Sequence, residues 1–153
     1  YKGKVRESDF AAALPRCSMP VCYNGDLITE RDVSTVSERY PDLPAVMIGR
    51  ALIADPSLVA RLTGGKAADA KTIETFHDTL FMRYCEAFGD SRIAMLRMKE
   101  IWFYHLNLFE NSEKPGKAIK KAKNAAEFQS AAAAVFRNCR VRANAVPLWF
   151  KPA

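Results

Sequence analysis

Pro20-Val21-Cys22-Tyr23-Asn24-Gly25-Asp26 and Ala45-Val46-Met47-Ile48-Gly49-Arg50 decide how this chain is read. Each run is apolar and stops abruptly at a polar step containing glycine. A buried parallel strand reads this way where it emerges into a loop. Asp26 and Arg50, at the two exits, are 24 residues apart, enough for one crossover helix between parallel strands.

The surrounding sequence supplies that helix. Thr29 is placed to cap a helix over roughly Glu30–Tyr40, with Val33 and Val36 facing inward, and Pro41-Asp42-Leu43-Pro44 breaks it. Upstream, residues 7–16 predict a short helix ending near Pro15, and Met19–Tyr23 is the first strand. Ala45–Ile48 is the second strand. Gly49-Arg50 then opens a helical segment through Leu52, Leu58, Val59 and Leu62. The order is β-α-β-α.

Thr63-Gly64-Gly65 marks a boundary, after which the apolar period changes. Ile73, Phe76, Leu80, Phe81, Tyr84 and Phe88 form a helical stripe that ends at Gly89-Asp90. Ile93, Leu96, Ile101, Tyr104 and Leu108 mark a second helix. Pro115-Gly116 is read as the link to a third around Ile119, and a fourth runs from about Ala125 to Asn138. Val146–Phe150 is expected to be extended and packed by its aromatics. The second half is thus expected to be a small helical bundle. The fold class is α/β followed by all-α, mostly helical overall, with residues 1–64 and 65–153 as the two parts.

Charge follows the same division. Residues 1–65 carry 8 basic and 8 acidic side chains, and residues 66–153 carry 15 and 9, so the net +6 lies in the second half. Such a surface suits a polyanion, through phosphate neutralisation and counterion release, or forms a solvated basic helix face. Arg92, Arg97, Lys99, Lys120, Lys121 and Lys123 are the candidate RNA-backbone contacts. Trp102, Phe103 and Tyr104 lie in an apolar helix and are read as core, and His77 and His105 as packed or surface histidines. Cys17, Cys22, Cys85 and Cys139 form no CxxC pair, and no Cys/His cluster has zinc spacing, so no metal site is expected. Reduced cysteines and the absence of a signal peptide or an 18-residue apolar run point to a cytoplasmic protein with no membrane span. The chain does not begin with Met, and a two-stranded parallel sheet is small to stand alone. The expectation is a piece of a larger fold whose exposed strand edges can also drive self-association.

The runs together resemble the C-terminal part of the tRNA-dihydrouridine synthases, flavoenzymes that reduce uridine to 5,6-dihydrouridine in tRNA. The resemblance rests on Pro20–Asp26, Met47-Ile48-Gly49-Arg50, Asp55-Pro56-Ser57-Leu58 and Arg97-Met98-Lys99-Glu100-Ile101-Trp102-Phe103-Tyr104, with Tyr1-Lys2-Gly3 similar to the segment after the sixth barrel strand. It implies an FMN-binding TIM barrel, of which this chain would hold the last two βα units, followed by a helical domain that grips tRNA. FMN is the implied cofactor and NADPH the implied reductant. Asn24, Gly25, Asp26, Gly49 and Arg50 match the cofactor-binding positions, where glycine permits close main-chain approach to phosphate and arginine adds a charged contact. The competing reading is an ordinary strand-ending turn and an arginine paired with an acidic neighbour at the rim.

The family's catalytic cysteine, and its lysine and histidine facing FMN and substrate, belong to the N-terminal barrel half. None of the four cysteines here lies in the matching motif, so this chain is assigned no catalytic residue. Where the family often has glycine after the Gly-Arg step, this chain has Ala51. The alternatives are a non-catalytic basic helical RNA-binding module, and a fragment of another FMN-dependent TIM-barrel oxidoreductase.

Overall fold

A computed structural model describes residues 5–142, so Tyr1-Lys2-Gly3 and the Val146–Phe150 tail lie outside the described residues. The chain is mostly helical, with a minimal parallel sheet in its first half. Helix α1 (Glu7–Ala13) runs into a 3-10 turn (Leu14–Arg16) that contains Pro15. Strand β1 (Cys22–Tyr23) pairs in parallel with β2 (Ala45–Val46), Cys22 opposite Ala45 and Tyr23 opposite Val46. The crossover is α2 (Glu30–Arg39). The strands are shorter than the apolar runs; among the described residues each has a neighbour on one side only.

Thr29 caps α2 through a reciprocal box. Its hydroxyl accepts from the Asp32 N–H at 3.3 Å, and the Asp32 carboxylate accepts from the Thr29 N–H at 2.7 Å. Val36 is buried against Tyr23 and Leu27, with Val33, Tyr40, Leu43 and Val46 around them. Phe10 of α1 meets the Tyr23 ring edge-on at 4.9 Å and the Tyr40 ring at 5.3 Å, which seats α1 on the strand pair. The opposite face is bare among the described residues: Cys22, Ala45 and Met47 are exposed. The apolar runs read as strands covered on both faces; residues 5–142 cover one.

The helical segment after β2 is two helices, α3 (Arg50–Ala54) and α4 (Leu58–Leu62), divided at Asp55-Pro56. Asp55 is buried, and its Oδ1 accepts from the Ser57 N–H at 2.9 Å and the Ser57 hydroxyl at 2.6 Å. Arg61 of α4 donates to Asp55 Oδ2 and Glu30 Oε1, each at 2.5 Å, tying α4 back to α2.

Helix α5 (Ala70–Phe88) ends at Gly89, whose φ of 62° is the left-handed conformation that favours glycine. Asp90 then accepts from the Arg92 N–H and starts α6 (Ser91–His105). A 3-10 turn (Leu106–Leu108) leads to α7 (Glu113–Lys121) and α8 (Ala125–Asn138), the latter capped by Asn124 on the Glu127 N–H. Pro115-Gly116, read as a link, lies inside the first turns of α7. Proline is accepted there because its missing N–H has no intrahelical partner. Gly116 lets α7 close on the 3-10 turn after α6: a β-carbon there would sit 2.8 Å from Leu106 Cδ1.

Trp102, Phe109, Phe128, Met95, Met98 and Val135 form the core of this half and are almost completely buried. After α8 the chain returns beside Phe109: the Glu110 N–H donates to the Arg140 carbonyl at 2.8 Å, and the Arg142 N–H to the Leu108 carbonyl at 2.7 Å. The two halves meet where α3 packs on α6 and the 3-10 turn after it.

Candidate functional site

The two glycine-containing steps lie side by side because the strands are parallel and in register. The Met47 N–H donates to the Tyr23 carbonyl at 2.8 Å, placing Asn24-Gly25-Asp26 beside Ile48-Gly49-Arg50. Arg50 Nη2 lies 2.6 Å from Asp26 Oδ1, so residues remote in sequence converge at the C-terminal end of the pair. Both side chains are partly exposed, at 45% and 31%. This is the ion pair that the competing reading anticipates, and it leaves part of the guanidinium facing solvent.

The glycines differ in their surroundings. Gly25 lies under the Tyr23 ring, and a β-carbon there would come within 2.6 Å of three ring atoms including the hydroxyl oxygen. Its first role is therefore to let a buried tyrosine fold back over its own turn. Burial raises the Tyr23 pKa, with Glu7 adding to the effect, so the ring stays neutral. Gly49 has open space where a β-carbon would lie, and it precedes the first turn of α3. The Leu52 N–H donates to the Gly49 carbonyl at 3.0 Å, while Gly49 itself is exposed. Asn24 is exposed beside it. An exposed arginine, an open glycine main chain and a neighbouring asparagine fit the phosphate end of a ligand. Asp26 limits the net positive charge.

The Arg61 node, which ties α4 to α2 and to the α3–α4 break, was not singled out from sequence. Arg61 is only 15% exposed, and it holds Glu30 of α2 and Asp55 at the α3–α4 break. Its hydrogen bond lowers the Glu30 pKa. The sequence signal was the Asp55-Pro56-Ser57 turn followed by an arginine one helical turn on.

The candidate RNA-contact residues divide. Lys120, Lys121, Lys123 and Arg92 are exposed, and their side chains make no ion pair among the described residues. Arg97 pairs with Glu100 on its own helix at 3.2 Å. Lys99 is committed structurally: its Nζ donates to the Ala122 carbonyl at 2.5 Å and the Lys120 carbonyl at 3.3 Å, satisfying the C-terminal end of α7. A shallow groove floored by Ala118, Ala122 and Ala126, with Lys121 on its wall, lies between α7 and α8 and not at the strand ends.

Among the three consecutive aromatics, Trp102 is buried and Tyr104 half-buried, as a core assignment requires. Phe103 is 62% exposed and is not core. A helix of this pitch cannot turn three successive side chains inward. His77 and His105 are both buried. His77 faces Trp102 at 5.5 Å and Phe128 at 5.8 Å, and its Nδ1 lies 3.0 Å from the Asp78 carboxylate. His105 packs against Trp102 at 6.0 Å, and neither of its ring nitrogens has a hydrogen-bond partner among the described residues. Burial lowers the His105 pKa to about 4, with His77 adding to the effect; the Ile53 main chain and Asp55 oppose it without completing a hydrogen bond to the ring.

No helix among the described residues is long and apolar enough to cross a membrane. No protein-family model matches this chain, and no curated protein sequence matches it.

Proposed function

We propose that this chain is the C-terminal portion of a cytoplasmic, FMN-dependent tRNA-dihydrouridine synthase, with 1–64 closing a TIM barrel and 65–153 forming the helical tRNA-binding part. The observation that carries this reading is the meeting of two sequence motifs: Asn24-Gly25-Asp26 and Gly49-Arg50 resemble the family's FMN-contacting turns, and they adjoin at the C-terminal end of a parallel strand pair. That end is where barrel enzymes place their sites and bind phosphate. The bare apolar face at Cys22, Ala45 and Met47 supports it, since parallel strands normally have cover on both sides.

In this reading Arg50 supplies charge to the FMN phosphate, and the Gly49 main chain supplies close approach. Asn24 borders the same space, and Asp26 orients the guanidinium. FMN, when bound and reduced by NADPH, supplies the hydride that saturates the uracil ring. Lys120, Lys121, Lys123 and Arg92 set the tRNA backbone against the helical part. Proton donation to uracil is assigned to no residue of this chain.

The test is to produce the chain joined to the polypeptide encoded ahead of Tyr1. A yellow flavoprotein that forms dihydrouridine in tRNA with NADPH is expected, while residues 1–153 alone bind FMN weakly and are inactive. A colourless joined protein that leaves uridine unreduced overturns the proposal.

A further inference from the structure

Phe103 carries an inference beyond the basic patch. At 62% exposure it is among the most exposed large apolar side chains described, and it sits in the last turn of α6, a helix whose opposite face is the core. At 100° per residue, Arg92, Leu96, Lys99 and Phe103 of α6 fall within about 60° of arc. They form one outward stripe, in which Leu96 is also 51% exposed. Lys99, one turn from Phe103, holds the C-terminal end of α7 through the Lys120 and Ala122 carbonyls. That contact sets the end of α7, which carries the exposed Lys120, Lys121 and Lys123, against Lys99 of the stripe. The Phe103 ring is steadied edge-on by Tyr104, with centroids 5.1 Å apart and planes at 88°, which leaves its outer face to solvent.

We propose that Phe103 is a stacking platform for an unpaired RNA base, set among cations that hold the flanking phosphates. The positive surroundings decide the partner class. A flat apolar ring one helical turn from Lys99 and the lysine-rich end of α7 complements a polyanion that also offers π-faces, and stacking of this kind tolerates any base. The inference rests on the RNA-binding reading above and deepens it: the helical part grips a looped or unpaired segment, not only a duplex backbone.

The test uses the 153-residue chain and two labelled RNAs with equal phosphate number, a hairpin with an unpaired loop and a blunt duplex, measured by fluorescence anisotropy across a salt series. Phe103→Ala is expected to weaken hairpin binding by about tenfold and leave the salt slope and duplex affinity unchanged, and Phe103→Trp to restore hairpin affinity. Because Phe103 is outside the core, both variants keep the parental melting temperature. If Lys120→Glu with Lys121→Glu weakens binding and Phe103→Ala leaves the hairpin within twofold, the stacking role is wrong and the RNA-binding reading stands. Equal loss on hairpin and duplex also overturns the stacking role. So does a Phe103→Ala protein that changes from dimer to monomer in sedimentation with RNA affinity intact, which identifies the stripe as a contact between copies. Absence of any salt-dependent RNA binding by the parent chain removes both proposals.

Discussion

Asp26 and Arg50 bond at 2.6 Å across the ends of two strands that are only two residues long each. The pair is half in solvent, so it adds little to stability. Arg50→Ala is expected to cost no more than about 1 kcal/mol in urea denaturation. In the joined protein proposed to bind FMN, the same change is expected to weaken FMN by at least about tenfold, since a charged phosphate contact exceeds an exposed ion pair. An unaltered FMN affinity removes Arg50 from the site.

Arg61 makes the opposite prediction. It is largely buried and serves two carboxylates, one of them the buried Asp55. Arg61→Ala leaves Asp55 without its countercharge, and a loss of about 2–4 kcal/mol is expected. Arg61→Lys recovers only part of this, because an ammonium does not reproduce the fork that reaches Glu30 and Asp55 together. A denaturation midpoint that matches the parent would mean the node is not formed in solution.

Gly25 and Gly49 separate packing from ligand approach. Gly25→Ala places a methyl group into the Tyr23 ring, which is fixed by Phe10 and Tyr40, and is expected to destabilise by about 1–3 kcal/mol. Gly49→Ala meets no atom within 4 Å and is expected to leave thermal stability unchanged. A loss of FMN binding in the folded Gly49→Ala protein would then report the main-chain approach directly. Equal melting temperatures for the two variants would contradict the packing described at Gly25.

The buried histidines set an acid limit. The folded-state pKa of His105 is near 4 against 6.5 for the free side chain, and burial lowers His77 as well, opposed by Asp78 and Glu74. The unfolded chain therefore binds more protons between these values. The stability that His105 contributes is complete above pH 6.5 and is lost as pH falls toward about 4. The full loss from His105 is about 3 kcal/mol. Urea midpoints taken from pH 7.5 down to 4.5 should fall steadily, and the fall should be shallower in His105→Leu. An identical profile in that variant would place the acid sensitivity elsewhere.

Lys99 is placed at the end of α7, so its removal is expected to read as stability first. Lys99→Met keeps the aliphatic stem and leaves the Lys120 and Ala122 carbonyls without that donor, at a cost of about 1 kcal/mol. Its effect on RNA affinity should be smaller than that of Lys121→Met. The reverse order would make Lys99 a phosphate contact that leaves the α7 end when RNA arrives.

Much of this architecture is written locally. The bounds of α8 follow from Asn124 as cap and an alanine-rich run, and those of α2 from Thr29 and the Pro41–Pro44 break. The end of α5 follows from Gly89. Features that depend on distant partners were harder to read. Pro115 looks like a breaker until its position in a first helical turn is known, and Phe103 looks like core because its neighbours in sequence are. At the candidate site the glycines and Arg50 were legible as types, and an acidic neighbour for Arg50 as one alternative, but the packing partners of the glycines were not. That Gly25 answers to Tyr23, and that Arg61 gathers Glu30 and Asp55, comes from packing between elements that no short motif encodes.

The brevity of the strand pair has a consequence for how the molecule opens. The helices after residue 70 gain most of their contacts from near neighbours in sequence, whereas Tyr23 and Val46 must close a long loop for very few ladder bonds. Amide hydrogens around Tyr23 and Met47 should exchange well before those of α6 and α8. A protease should then find its first cut between β1 and β2, releasing the sheet while the helices stay folded.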